Sequence, residues 1–416
     1  MVPTANSTGV SYSIFFCTGT SWSTDPGHQL CRFDNVCLDH STQRFQYFVD
    51  PTFAGMPLFY DHSGAAHFSF PENFVSTGHV TIKPYILPWA PTVVHRAIPN
   101  DAAYARQPVA VYASTNDYAF NYGHALFDFL YAVFNQLQTL QLYTPAFQLL
   151  LAQHQGTNAD VINIFINPEN PERSLLRLIS HNPVLPLHMF VAPGSGSSGL
   201  TCIKTLVVGA AHMHLVLSRA RALPFRAAAM VNLGVNDPGL ARRPRITLLD
   251  KHGRRRIENL RQIAAALAAE FPLVQIVVQD GRSMERMSIR QQLEIMASTT
   301  ILITPCGGLG TVSVFLPPGG TAIVMNYFNT AKNTSTQMEE PYYANVEYID
   351  FQYFPVLPED YEGTSDRPGC EGPKDAEHYA SQGSLINCNV RIKDLWRMRM
   401  MVNAAVMRWA ARDENW

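Results

Sequence analysis

The chain has 416 residues, of which 47% are hydrophobic and 15% are charged. This length exceeds the range of one hydrophobic core, and the composition is that of a well-buried globular protein, so we expect two folded domains. The formal net charge of -2 provides no basic surface for a nucleic-acid partner. No apolar run approaches the ~18 residues of a membrane span, and the start of the chain makes a poor signal peptide, so no membrane anchor is visible.

The first 120 residues and the segment after them have different patterns. Residues 1–100 are rich in aromatic residues, prolines and short β-like runs such as Arg44 to Val49. By contrast, Gly123 to Leu140 has the periodicity of a helix with a broad apolar face. His124 and Asp128 are four residues apart on this helix, so their side chains share one face and can touch. A carboxylate that orients an imidazole favours its action as a general base, although a histidine on an apolar helix is more often a core residue.

A domain boundary is predicted near residue 235. A strand is expected at Thr205 to Val208, and the polar stretch Asn232 to Pro244 then separates two differently patterned regions. We therefore divide the chain into residues 1–235, residues 236–390 and a terminal helix within residues 391–416 that packs across both domains.

Helices and strands alternate regularly in the second region. The predicted strands are 245–249, 274–279, 300–304 and 321–325, and the predicted helices are 257–269, 289–298 and 311–316. This alternation is typical of a doubly wound parallel sheet, in which ligands bind beyond the carboxyl ends of the strands.

A basic segment directly follows the first of these strands, with the sequence Lys251-His252-Gly253-Arg254-Arg255-Arg256. Four cationic side chains near the start of a helix suit a diphosphate, which arginine can bind in a bidentate manner. A solvated basic loop is the alternative. The predicted position at the carboxyl edge of a parallel sheet favours the ligand.

A glycine turn lies at the same predicted edge. Gly307, Gly308 and Gly310 follow a buried strand and precede a helix predicted from Thr311. Because glycine has no side chain, this backbone can approach a ligand closely and direct the N–H groups of the next helix at an anion such as pyrophosphate. A tight turn without a ligand is the alternative. The adjacent Cys306 would be stabilised as a thiolate at this helix start, although structural packing is its other interpretation.

The seven cysteines are too scattered along the chain for a zinc site, so we expect no bound metal. Cys31 and Cys37 flank a short segment, and Cys370 and Cys388 bracket a loop rich in Gly, Pro and Ser, which indicates disulfides formed in an oxidising compartment. The odd number of cysteines leaves at least one thiol free.

Several short motifs occur in order between residues 31 and 325. They are Asn121-Tyr122-Gly123-His124 with Asp128; Cys31 to Cys37 (CRFDNVC) followed by Phe45 to Phe48; Cys202 to Gly209 (CIKTLVVG); the spacing of Lys251, Arg255 and Asn259; and Met287 to Pro318, with Gln292 and Phe315 to Gly319. Taken together, they resemble glycosyltransferase family 61. That family includes plant xylan xylosyl- and arabinosyltransferases and animal enzymes that transfer N-acetylglucosamine to protein-linked acceptors.

The resemblance implies an α/β fold of the GT-B type, with two Rossmann-like domains facing across a cleft. It implies inverting transfer of a sugar, a pentose or N-acetylglucosamine, from a UDP-sugar to a hydroxyl of a glycan or glycoprotein, without a cofactor or a metal. His124 would deprotonate the acceptor and Asp128 would orient it. The residues expected to bind the nucleotide sugar are Lys251, Arg254, Arg255, Cys306, Gly307, Gly308, Gly310 and Thr311. A Golgi or ER lumenal location is also implied, and the two glycosylation sequons at Asn6 and Asn333 fit it.

Two positions depart from the family pattern and leave other functions open. The family usually has His-Gly-Ala-Gly at the glycine turn, where this chain has Cys306, and it has arginine where this chain has Lys251. An inactive relative that binds a glycan or a nucleotide is therefore an alternative. An NAD(P)-dependent oxidoreductase is a third interpretation, but Asn326 stands where such enzymes need an acidic residue for the ribose.

Overall fold

The computed structural model of the chain describes residues 11–19, 29–61, 63–77, 88–114, 121–152, 171–191, 198–209, 219–237, 239, 243–329, 332–337, 343, 346–361, 385–386 and 388–413. Two compact units are present: Met1–Phe120 with His124–Val216, and Asn121–Gly123 with Leu217–Trp416. The helix Arg219–Leu233, which the predicted domain of residues 1–235 includes, lies in the second unit.

The first unit is built on a mixed sheet. Within the described residues its strands are β1 (Ile14–Gly19), β2 (Gln29–Asp39), β3 (Arg44–Phe48), β4 (Phe59–Tyr60), β5 (Ala66–His67), β6 (Val75–Ser76), β7 (Pro88–Trp89), β8 (Thr92–Val94), β9 (Ala103–Tyr104), β10 (Val109–Ala113), β11 (Gln148–Leu151), β12 (Leu185–Pro186) and β13 (Leu200–Gly209). The main sheet has the order β12-β11-β10-β13-β2-β3-β8, with β1 beside β2 and β9 beside β13.

Strands β10 to β13 pair in parallel, whereas the pairs β13–β2, β2–β3 and β1–β2 are antiparallel. The helical segments of this unit are a π-helix at His124–Leu130 that continues into α1 (Tyr131–Thr139), and short 3-10 helices at Pro51–Phe53, Pro171–Arg173, Leu175–Leu178 and Leu187–Met189. The strand predicted at Thr205 to Val208 and the helix predicted from Gly123 to Leu140 are therefore confirmed.

Two disulfides tie the antiparallel strands together. Cys17 bonds Cys31 across β1 and β2, and Cys37 bonds Cys202 across β2 and β13, in each case between residues directly opposite each other. Cys31 and Cys37 are therefore not bonded to each other. Cys388 is also disulfide-bonded, while Cys370 and the sequon residue Asn6 lie outside the described residues. Cys306 is a buried free thiol, as the odd count required.

The second unit confirms the predicted alternation of helix and strand. Its strands are β14 (Arg245–Asp250), β15 (Gln275–Asp280), β16 (Ile301–Thr304), β17 (Thr321–Met325), β18 (Tyr327–Asn329), β19 (Thr334–Thr336) and β20 (Asp350–Phe354). Its helices are α2 (Arg219–Leu233), α3 (Leu260–Glu270), α4 (Gly281–Arg286), α5 (Ile289–Ala297) and α6 (Leu395–Asp413), with 3-10 helices at Gly308–Phe315 and Pro358–Tyr361.

Five of these strands form a parallel sheet in the order β15-β14-β16-β17-β20. Numbered along the chain, this is the 2-1-3-4-5 order of a doubly wound sheet, whose switch point lies between its first and third strands, β14 and β16. The inner strands β16 and β17 are nearly continuous apolar runs and are buried along their whole length, as expected where both faces of a sheet are covered. On one face, Ile246 and Leu248 pack with Ile263 of α3 and with Met398 and Val402 of α6. The predicted terminal helix is therefore α6, and it covers this sheet.

None of the described helices combines the length and hydropathy that a membrane span requires.

Candidate functional site

The glycine turn joins β16 to the following helix at the switch point of the second sheet. Gly307 has φ 105° and ψ -171°, a conformation that is essentially restricted to glycine. The helix after it begins at Gly308 and is a 3-10 helix, whereas the sequence predicted a helix from Thr311 without specifying its type. The Gly310 N–H donates to the Gly307 carbonyl, and the buried Thr311 hydroxyl donates to the Gly308 carbonyl at 2.5 Å. Both residues therefore stabilise the turn from within.

Two cations of the basic segment meet the turn at Gly307. A Cβ atom added to Gly307 would lie 3.0 Å from Lys251 Nζ and 3.1 Å from Arg255 Nη1. Lys251 Nζ also donates to the Cys306 carbonyl at 3.3 Å. Arg254 is exposed, in contrast to the half-buried Lys251 and Arg255. The structure thus brings two of the predicted cations together on the glycine backbone.

The backbone of the basic segment is shaped for this convergence. Gly253 and Arg255 both have positive φ, 77° and 65°, and the latter is uncommon for a residue with a side chain. Residues 388–392 hold the end of the segment: Asn389 Oδ1 accepts from the Arg256 N–H at 3.0 Å, and the Val390 N–H donates to the Arg256 carbonyl at 2.9 Å. A non-glycine residue in a strained conformation needs such support.

Asn259 anchors residues 388–392 to the start of α3. Its amide donates to the Ile392 carbonyl at 2.8 Å and accepts from the Ile392 N–H at 3.0 Å, and the residue is buried. Gln292, another residue of the family-like motifs, donates to the Met284 carbonyl at 3.0 Å and so joins α5 to α4. Both amides therefore have structural roles beside the site.

His252 and Asp280 form a pair that the sequence reading did not predict. His252 Nε2 lies 2.5 Å from Asp280 Oδ1, and the Asp280 carboxylate also accepts from the Ser283 N–H and hydroxyl at the start of α4. The hydrogen bond from His252, and after it those from Ser283, hold the pKa of the Asp280 carboxyl below its ordinary value. The pair lies at the carboxyl ends of neighbouring strands, because Asp250 and Asp280 are opposite each other in β14 and β15.

The tripeptide Asn121–Gly123 belongs to the second unit and packs on the glycine turn. Asn121 Oδ1 accepts from the Gly123 N–H at 3.0 Å, and it would lie 2.3 Å from a Cβ atom on Gly308. A Cβ atom on Gly123 would in turn be 3.0 Å from Gly308 Cα and 3.0 Å from Thr311 Cγ2. Glycine is required at both positions because the two backbones touch.

His124 follows Gly123 directly in the chain and begins the π-helix His124–Leu130. It is half-buried, and the side chain of Asp128 lies outside the described part of the structure. A π-helix repeats its hydrogen bonds at i→i+5, so the pairing of these two residues was predicted from a different helical geometry. Their contact stays a prediction.

The described residues contain no group of three or more His, Cys, Asp and Glu side chains arranged to hold a metal ion. What the second unit does offer is a positive charge, from Lys251 and Arg255, against a glycine backbone at a sheet switch point. Anion binding is the chemistry that this arrangement favours.

Residues 122–324 match the family model described as Glycosyltransferase 61. The match contains the helix after Gly123, the basic segment and the glycine turn, whereas the Cys31 to Cys37 motif lies outside it. No curated protein matches the chain. The match supports membership of glycosyltransferase family 61, which the motifs indicated, and with it a glycosyltransferase activity.

Proposed function

We propose that the chain is an inverting glycosyltransferase that transfers a pentose or N-acetylglucosamine from a UDP-sugar to a hydroxyl of a glycan or glycoprotein. The observation that carries the proposal is the convergence of Lys251 Nζ and the Arg255 guanidinium on Gly307. A diphosphate leaving group needs its developing charge neutralised, and fixed cations can supply this in place of a divalent metal. The expected absence of a metal and of any other cofactor is part of the proposal.

In this mechanism the donor-binding residues and the catalytic residues have separate roles. Lys251, Arg255 and the backbone of the glycine turn hold the diphosphate, and Arg254 adds positive charge from the exposed side of the segment. His124 takes the proton from the acceptor hydroxyl as that oxygen attacks the anomeric carbon and the bond to the diphosphate breaks, and Asp128 orients His124. Supporting this assignment, His124 is the next residue after the tripeptide that packs on Gly308.

The GT-B arrangement and a Golgi or ER lumenal location complete the proposal. The location is supported by the disulfides Cys17–Cys31 and Cys37–Cys202, because such bonds persist in oxidising compartments. The sequon at Asn333 lies in an exposed turn, where an oligosaccharide could be attached.

The donor site is tested by titration calorimetry with UDP in the presence of EDTA. Lys251→Gln removes one charge-assisted hydrogen bond to the diphosphate and should weaken UDP binding about tenfold or more. Lys332→Gln, the same change at an exposed lysine of the same unit, is the matched control and should bind UDP normally. Equal UDP affinities for the two variants would remove Lys251 from the site.

The reaction is tested with a panel of UDP-sugars and glycan acceptors, with product configuration read by NMR. His124→Ala should bind UDP as the parent chain does and lose transfer, since only the acceptor proton transfer is affected. Retained transfer in this variant would refute the base assignment. If the parent chain binds UDP but neither transfers nor hydrolyses any sugar, the alternative of a non-catalytic nucleotide-binding relative replaces the enzyme.

A further inference from the structure

The first unit has an open surface cavity of about 430 Å³, where β1 begins and β2 and β13 are paired. This volume lies in the range of small-ligand sites. Its walls include polar, charged and aromatic side chains: Arg32, Asp34, Asn35, Tyr104, Lys204 and Thr205. These residues are separate from the glycine turn, and three of them belong to the Cys31 to Cys37 motif.

The cavity lies where β2 and β13 both depart from the regular alternation of core and surface side chains. Along β2 the side chains in the aromatic core include Phe33 and then Val36, and along β13 they include Ile203 and then Leu206. On each strand these two core side chains are three residues apart, whereas side chains on one face of a regular strand are two residues apart. Asn35, between the core residues of β2, has φ 57°. The two residues between the core positions on each strand, Asp34 and Asn35 on β2 and Lys204 and Thr205 on β13, all line the cavity.

Hydrogen bonds hold the polar groups of the cavity in place. Asp34 Oδ1 accepts from Arg32 Nε at 2.9 Å and from the Thr205 hydroxyl at 2.7 Å. The Asn35 carbonyl accepts from the Ser13 hydroxyl at 2.5 Å, and Asn35 Nδ2 donates to the Tyr12 carbonyl at 3.3 Å. A site with fixed polar groups loses little conformational entropy when a ligand binds.

The charges of the cavity favour an anionic ligand. Asp34 is paired with Arg32, whereas Lys204 is exposed and forms no ion pair with another described residue. The lining therefore carries one positive charge in excess.

The shapes of the groups favour a sugar. Beyond their hydrogen bonds to one another, the Arg32 guanidinium, the Asp34 carboxylate and the Asn35 amide each have further polar atoms that can bond ring hydroxyls. The Tyr104 ring, half-buried against the small core around Cys37–Cys202, offers a flat apolar surface to the C–H face of a pyranose.

We propose that this cavity binds an acidic saccharide unit, one that carries a carboxylate next to its ring hydroxyls. The carboxylate contacts Lys204 and the ring hydroxyls contact the polar groups that Asp34 organises. That the saccharide is part of the acceptor glycan rests on the proposed glycosyltransferase function; the binding itself does not.

Saturation-transfer NMR on the purified chain, without any nucleotide, tests the cavity with methyl glucuronide and methyl glucoside as probes. The glucuronide should give the stronger saturation transfer. The affinity for the glucuronide should fall about fivefold in Lys204→Gln, because one exposed charge contact is lost. The same affinity should stay unchanged in Lys332→Gln. Because Lys204 is exposed, the substitution should leave the melting temperature unaltered.

Three results would overturn the proposal. They are no saturation transfer to either probe, equal saturation transfer to both probes, or glucuronide binding that Lys204→Gln does not weaken. Each is independent of the donor site, because UDP is absent from the sample. A chain that binds the glucuronide here and yet fails to bind UDP would refute the proposed function and leave this cavity intact.

Discussion

Replacing Gly307 by alanine changes the candidate donor site in two ways that can be separated. The backbone has φ 105° and ψ -171° there, so alanine is strained by about 1–3 kcal/mol. The new methyl group would also lie 3.0 Å from Lys251 Nζ and 3.1 Å from Arg255 Nη1, whereas ordinary contact begins at 3.4 Å. The ends of both side chains are flexible, so the cations should withdraw by a few tenths of an ångström rather than unfold the turn.

Gly239→Ala is the control variant, because it introduces backbone strain without displacing the two cationic side chains. Gly239 is in the same unit and has φ 67°, but a Cβ atom there meets nothing within 4 Å. Urea denaturation should show that Gly307→Ala loses about 1–3 kcal/mol of unfolding free energy and Gly239→Ala about 1–2 kcal/mol. Calorimetry should show that only Gly307→Ala binds UDP about tenfold more weakly, which corresponds to ~1.4 kcal/mol and to less than one charge-assisted hydrogen bond. If both variants bind UDP with the same affinity, Lys251 and Arg255 do not contact the diphosphate through this turn.

Two further predictions concern the surroundings of the site. Asn259→Ala should lower the unfolding free energy by about 2–3 kcal/mol, because the Ile392 N–H and carbonyl both lose a buried partner; a loss below about 0.5 kcal/mol in urea denaturation would contradict this. Asp280 has a lowered pKa in the folded chain, so its stabilising effect is complete above its unfolded pKa of about 3.9 and is lost as the pH falls through the folded value. The stability difference between the parent chain and Asp280→Asn should therefore shrink below about pH 4. A difference that is constant from about pH 5 to pH 3 would exclude the His252–Asp280 pair.

The second sheet could be predicted because its strands and helices are local patterns. Each of β14 to β17 is a short apolar run bounded by turn residues, and chain order alone places the basic segment and the glycine turn at one edge. The strand β20 was not predicted, because the sequence of Asp350–Phe354 (DFQYF) mixes polar and aromatic residues and contains no apolar run like those of β16 and β17. The His252–Asp280 pair needs β14 and β15 to be neighbours, which no local pattern of residues specifies.

Two features of the first unit could not be predicted from the sequence. The pairing of Cys37 with Cys202 joins residues 165 positions apart, and spacing could not distinguish it from a bond between Cys31 and Cys37. The positive φ of Asn35 also left no local signal beyond asparagine's general tolerance of that conformation. Both features depend on how β2 lies between β1 and β13, and the cavity depends on them in turn.

Cys306 stands where the family usually has histidine, and its side chain is not the group that holds Lys251 at the glycine turn. Cys306 is buried, with 3% of its surface exposed, and the contact it makes to Lys251 uses its backbone carbonyl. A backbone acceptor is retained whichever side chain is present, so the exchange of the family's usual histidine leaves Lys251 in place. Cys306→Ala should therefore change UDP affinity less than twofold while costing about 1–2 kcal/mol of stability through the lost packing of the sulfur. A tenfold loss of UDP affinity in calorimetry would show instead that the thiol itself contacts the nucleotide, and that the donor site depends on this side chain.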